Sequence, residues 1–437
     1  MFNRRAFLAS ATVAATGLVR SRNAWGLADE VPITGVHNPN LAPFDNLFTK
    51  FLKDNALPGV GVAVTRNGKL VYARGFGHAD LENKKPVEPN ALFRLASVSK
   101  PITAVGVLHL LDQGKLKLED PVLRHIKLQA FVHPNVKPDA RWEKITIHQC
   151  LRHTGGWDRD KKGGFDPIGI PWDIMNAMKQ KHHPTPDDIV RYMMGLPLDF
   201  NPGAKMVYSN LGYLVLGRVI EEVTGEKYEP WMKKHILAPI HATGIALGKA
   251  LPEKRPASEV SYYDSKKRKG TCLYPPREGE KVPLPDGGEN LEGFEAHGGW
   301  IASAIDMVRF ASTFDYGRKS PLLSANAIKE MWARPGGAAG FDPGNKPKDA
   351  YYGCGWEVRP VGNTGRANTW HSGLIAGTST LLVRRSDGLN WAILFNTDSN
   401  HKNEQPADLI DGPMHEAADA VKKWPDGDLF EKFPPNK

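Results

Sequence analysis

The stretch LASVSKPITAVGVLHLLDQG (residues 95–114) decides how this chain is read, because it holds a serine and a lysine three positions apart at the head of an apolar run. Ile102, Val105, Val107, Leu108, Leu110 and Leu111 recur at mixed helical spacing, so the segment from Ser97 to about Leu116 reads as a helix buried on most sides. Residues i and i+3 of a helix are neighbours, which lets Ser97 and Lys100 touch. A serine hydroxyl needs a base held against it, and a lysine serves only when burial or nearby positive charge lowers its pKa by several units. Pro101 is the local conflict, since it disfavours helical geometry at Lys100.

Sheet brackets this helix. Upstream, GVGVAVTRNGKLVYARGFG (59–77) is two β-rich runs around Asn67-Gly68, a type I′ hairpin signal. Downstream, TSTLLVRRSDGLNWAILFN (378–396) is a second hairpin turning at Ser386-Asp387-Gly388, followed by a closing helix from Gln405 to Trp424. Between them lie helical segments in Pro- and Gly-rich loops. TPDDIVRYMMGL (185–196) has Thr185 as N-cap, Pro186 next and Asp188 three residues on. SNLGYLVLGRVIEEVTG (209–225) is the strongest helix of the middle and ends at Gly225, and SAIDMVRFASTF (303–314) opens with a Ser303/Asp306 capping box. The expected fold is α/β plus all-α: an antiparallel sheet flanked by helices, built from both chain ends (40–120 and 290–437), with an inserted helical subdomain (121–289).

The chain has 437 residues and a formal net charge of +9. No run reaches the ~18 uninterrupted apolar residues of a membrane span, and no nucleic-acid partner is called for. Residues 1–28 read as a signal peptide, with Arg4-Arg5 before Ala6-Phe7-Leu8 in the manner of a twin-arginine export signal; removing them lowers the charge to +5 and places the protein in the periplasm or outside the cell. The competing reading is an amphipathic N-terminal helix. The basic run SKKRKG (265–270) is a solvated loop or a contact for anionic cell-wall polymer or lipid heads. Cys150, Cys272 and Cys354 are far apart, and neither Cys150 with His153 nor His182-His183 is joined by further ligands, so no disulfide framework, metal or cofactor is expected.

A chain this long shows roughly one S-x-x-K by chance, and a second copy does occur, Ser399 to Lys402 in NTDSNHKNEQ. It is polar, with no apolar helix to bury its lysine, and is assigned to a solvent loop. Tyr208-Ser209-Asn210 is the chain's single Y-x-N; tyrosine can pass a proton to a leaving group and asparagine can bind a substrate amide, although a buried tyrosine beside an N-cap would look the same. H-x-G occurs at His153, His297 and His371; only His371-Ser372-Gly373 borders the C-terminal hairpin, and the other two, beside glycine pairs, are assigned to loop turns.

The order S-x-x-K, Y-x-N, H-x-G resembles the serine β-lactamase and penicillin-binding protein superfamily, in the branch of class C β-lactamases, H-x-G D-alanyl-D-alanine carboxypeptidases and family VIII carboxylesterases. LRHTGGW, FNPGAKMVYSNLGYLVLG, GGWIASAIDMVRF and YYGCGWEV fit the same branch, so the likeness runs from about residue 45 to 396. The resemblance implies an exported serine hydrolase acting through an acyl-enzyme on an ester, β-lactam or peptide, cell-wall peptidoglycan included. Ser97 would be the nucleophile, Lys100 and Tyr208 the proton carriers, Asn210 a substrate or lysine partner, and the N–H groups of Ser97 and Leu374 the oxyanion hole. His371 stands where many β-lactamases carry lysine; as a neutral ring it grips a substrate carboxylate less well, which favours esterase or peptidase activity, while a lysine there would favour penicillins. The alternative is a catalytically silent relative that binds cell-wall peptides. No G-x-S-x-G elbow of an α/β-hydrolase occurs, and the loop 158–183 is a candidate roof over the cleft.

Overall fold

The computed structural model describes residues 30–434, so the expected signal segment lies outside the described residues. Helix α1 (Ala42–Asn55) leads into strands β1 (Gly59–Arg66) and β2 (Lys69–Asp80), which turn at Asn67-Gly68 with both residues at positive φ, as a type I′ hairpin requires. A short β3 (Lys85–Pro86) follows, then the central helix α2 (Ser99–Asp112). The middle supplies α3 (Pro186–Met194) and α4 (Asn210–Thr224), and α5 (Leu291–Gly298) follows it. After α6 (Ala304–Ser312) come β4 (Tyr351–Tyr352), β5 (Glu357–Pro360), β6 (Ala367–Ile375), β7 (Thr378–Arg384), β8 (Leu389–Phe395) and the closing helix α7 (Pro406–Asp419).

All eight strands form one sheet in the order β4-β5-β6-β7-β8-β1-β2-β3, with antiparallel pairing throughout. The two chain ends meet at its centre, where Val60 pairs with Phe395 and Ala63 with Ala392. Both faces are covered, and strand alternation sorts the side chains between them. Val60, Val62, Val64, Trp391 and Ile393 pack under α1 and α7. On the other face the sheet is lined by small residues, and a Cβ at Gly61 would fall 2.9 Å from the Phe93 ring. There the sheet joins the larger core that surrounds α2.

Burial explains α2. Of its residues only Leu111, His109 and Asp112 escape full burial, so a segment without a polar face is stable here because protein covers every side. Pro101 is no obstacle: it occupies the third helical position, where the N–H has no partner within the helix. The caps are built as the sequence spells them, with Thr185 and Asp188 bonding reciprocally, Ser209 accepting from Gly212, and Gly225 ending α4 in the left-handed region. The middle is less helical than expected. Residues 246–283 hold short strands at Ala246–Leu247, Lys269–Thr271 and Lys281–Pro283, as their proline and glycine content disfavours helix.

Candidate active site

Ser97 ends up on a short 3₁₀ turn (Ala96–Val98) that feeds directly into α2. Ala96, just before it, sits at φ 48°, a left-handed conformation that a residue with a Cβ adopts only when its surroundings hold it there. That holding is visible: the Leu95 N–H donates to Trp300 O at 2.8 Å, and Thr380 Oγ1 on β7 donates to Leu95 O at 2.8 Å. Ser97 is half-buried, whereas Lys100 is completely buried.

Lys100 Nζ has three neighbours, namely Ser97 Oγ at 3.0 Å, Asn210 Oδ1 at 2.7 Å and the His297 carbonyl oxygen at 3.0 Å. Burial holds its pKa well below the ordinary 10.5; Asp166 opposes that shift and Arg159 adds to it. In the neutral amine the two acceptor-only oxygens take both hydrogens. The lone pair is left facing the Ser97 hydroxyl, the one neighbour that can donate to it.

Asn210 opens α4, and its amide is turned by a second contact: Nδ2 donates to Asp166 Oδ2 at 2.7 Å. Tyr208 lies two residues earlier, with its ring 4.8 Å from Lys100 Nζ. Burial raises its pKa, partly offset by the nearby Ser97 hydroxyl, and its own hydroxyl has no hydrogen-bond partner among the described residues. It is a protonated phenol aimed into the site.

Strand β6 passes alongside. A Cβ at Gly373 would fall 2.4 Å from Leu95 O, so glycine lets the strand run backbone against backbone beside the Ser97 turn. The ladder with β5 stops at Trp370, leaving that edge of β6 uncovered from His371 onward. Ser372 and Leu374 face outward and are exposed. His371 alternates inward, which corrects the expectation that its ring meets a substrate carboxylate. It is buried, with Nδ1 2.6 Å from Ser372 O and Nε2 2.9 Å from the Tyr352 hydroxyl. Since the carbonyl can only accept, the proton sits on Nδ1 and Tyr352 donates to Nε2. Desolvation and the neighbouring Lys100 push its pKa down to about 3.

The Beta-lactamase family model matches residues 44–411 of this chain. The chain belongs to the beta-lactamase family. Esterase EstB of Burkholderia gladioli is 33% identical over 68% of this chain and 71% of its own length. Penicillin-binding protein 4* of Bacillus subtilis (strain 168) is 28% identical over 85% of this chain and 77% of its own. Among solved structures, the octameric penicillin-binding protein homologue from Pyrococcus abyssi shares the fold with a TM-score of 0.64 at 22% identity, over 88% of this chain and 78% of that one.

Within this beta-lactamase-family fold, His153 lies in a turn as its sequence suggests, at φ 57°, whereas His297 sits at the end of α5 and not in a loop turn. Both nevertheless belong to the site: with His371 they lie near Lys100, and each is held neutral by burial with Lys100 as the next influence. The His153 ring lies 4.3 Å from the Tyr208 ring at a tilt of 37°, and its Nδ1 accepts the Ser209 N–H at 3.1 Å. His297 contributes its carbonyl to Lys100 because α5 breaks at Glu295 (φ 33°), whose carboxylate is clamped by Arg218. The loop after Trp157 lines a pocket against Tyr208 and Asn210, with Arg159, Phe165 and Asp166 facing in. Three ion pairs rim it: Arg159–Asp166, Lys161–Asp199 and Lys205–Asp158.

Proposed function

We propose that this protein is a serine hydrolase that acts through an acyl-enzyme on neutral esters, with amides second. The observation that carries the reading is the fully buried Lys100, with Nζ 3.0 Å from Ser97 Oγ and held by Asn210 Oδ1 and the His297 carbonyl, so that once neutral its free electron pair faces Ser97. Lys100 takes the hydroxyl proton as Ser97 Oγ bonds to the substrate carbonyl carbon. The oxygen that becomes negative is held by the N–H groups of Ser97 and Leu374. Tyr208 hands a proton to the departing alcohol or amine, the acyl group stays on Ser97, and water releases it by the same proton route in reverse.

Neutral substrates are favoured because His371, which stands at the third motif, is buried and carries no charge for a substrate carboxylate, and the nearby Arg159 already gives an N–H to Asp166. Esterase EstB, named for its activity, supports the ester reading. The test is a panel of p-nitrophenyl butyrate, a chromogenic cephalosporin and D-amino-acid peptides, run with a fluorophosphonate probe. Ester turnover leading the panel and probe mass on Ser97 are expected; cephalosporin turnover leading, or an unlabelled Ser97, overturns the reading. The N-terminal Arg4-Arg5 segment supports export of the folded enzyme. An R4K/R5K variant should keep its activity inside the cell; unchanged secretion would refute that route.

A further inference from the structure

Resting on the hydrolase reading, we infer that Asp166 is a positioning residue for the general base, and that the pair it forms with Arg159 sets the protonation balance of Lys100. Asp166 belongs to the loop lining the pocket, far in sequence from the motifs above. One oxygen, Oδ1, caps the 3₁₀ turn Pro167–Gly169 by accepting the Ile168 N–H at 3.3 Å. The other, Oδ2, receives Arg159 NH1 at 2.8 Å and Asn210 Nδ2 at 2.7 Å.

A carboxylate only accepts, so Asn210 must turn its NH₂ toward Asp166 and its oxygen toward Lys100. Without that partner the amide can flip and present two hydrogens to the amine, which would then point its lone pair at Asn210 instead of Ser97. Hydrogen bonds thus run from Arg159 through Asp166, Asn210 and Lys100 to Ser97. Charge follows the same route with opposite signs, Asp166 favouring the ammonium and Arg159 disfavouring it. The other titratable groups facing Lys100 are His153, His297 and His371, all neutral, and the Tyr208 and Tyr213 rings, whose phenols burial keeps protonated. The loop pair is therefore the adjustable charge around the base.

The experiment is the pH profile of kcat/KM for p-nitrophenyl butyrate in the parent, Asp166→Asn and Arg159→Gln, with fluorophosphonate labelling of each. Asparagine is also a good N-cap, so Asp166→Asn preserves the local turn while removing the charge. The acid limb reports the lysine that must lose its proton. Removing the carboxylate should move that limb to lower pH, by about half a unit or more, and removing the guanidinium should move it to higher pH. Asp166→Ala should in addition lower kcat by roughly tenfold with little change in KM, and Asp166→Asn should recover part of that loss. A purely structural Asp166 would lower the melting temperature and leave the limb in place. A labelled parent whose limb stays fixed, or shifts the same way in both variants, overturns this inference alone; an unlabelled parent overturns the hydrolase reading and this inference with it.

Discussion

Two segments of this chain share the S-x-x-K spacing, and their burial is inverted. At 97–100 the serine is partly exposed and the lysine is sealed; at 399–402 the serine is sealed and the lysine is in solvent. Ser399 is not in a fully solvated loop as its sequence suggested, because its hydroxyl pairs with Ser265 beneath the turn. Lys402 extends outward with nothing to desolvate it. Spacing places two groups near one another, but chemistry depends on which of them water can reach.

The sharpest way to break this comparison is Ser97→Ala. Turnover of p-nitrophenyl butyrate should fall by at least roughly a thousandfold, with probe labelling lost and the circular dichroism spectrum unchanged. Activity within tenfold of the parent would mean that the wrong copy has been chosen. Next in size is Lys100→Arg, which keeps a long side chain with hydrogen-bond donors but cannot give up its charge. A loss of roughly a hundred- to a thousandfold in kcat is expected, and the acid limb of the profile should vanish; a surviving limb would assign the titration to another group.

His371→Ala should cost less, about tenfold in kcat/KM, together with about 1–3 kcal/mol of stability for stranding the Tyr352 hydroxyl. Its imidazole already lacks a proton above about pH 3, so the acid limb should stay where it is in the parent. Movement of that limb on alanine substitution would show that the histidine carries charge in the working range. Smallest of all is the distal pair: Lys402→Ala and Ser399→Ala should leave kcat/KM within about twofold. Ser399→Ala should lower unfolding free energy by about 1 kcal/mol through the lost Ser265 contact. An activity drop matching that of Ser97→Ala would reverse the contrast.

What the sequence disclosed follows the reach of each interaction. The hairpin at Asn67-Gly68 and the caps at Thr185, Ser209 and Ser303 are made by neighbours in the chain, so they are legible residue by residue. Ser97, Lys100, Tyr208 and Asn210 could be singled out by motif, and the structure brings their side chains together. The parts of His153 and His297 escaped notice because one contributes a ring nitrogen to a backbone N–H 56 residues away and the other a carbonyl. The H-x-G pattern says nothing of either. Asp166 was visible only as part of a long loop, since its meaning arises when that loop folds back on α4.

The ring of uncharged imidazoles has a price away from catalysis. His153, His297 and His371 each bind a proton far less readily in the native protein than in the unfolded chain, where the ordinary value is near 6.5. Unfolding below that value takes up protons, so their contribution to stability is complete above about pH 6.5 and drains away as the pH falls below it, for His371 down to about pH 3. Each adds a slope of up to about 1.4 kcal/mol per pH unit in that window. Urea midpoints measured between pH 7.5 and 4.5 should fall steeply in the parent and less steeply in His371→Asn; equal slopes would mean that acid finds the weakness of this fold elsewhere.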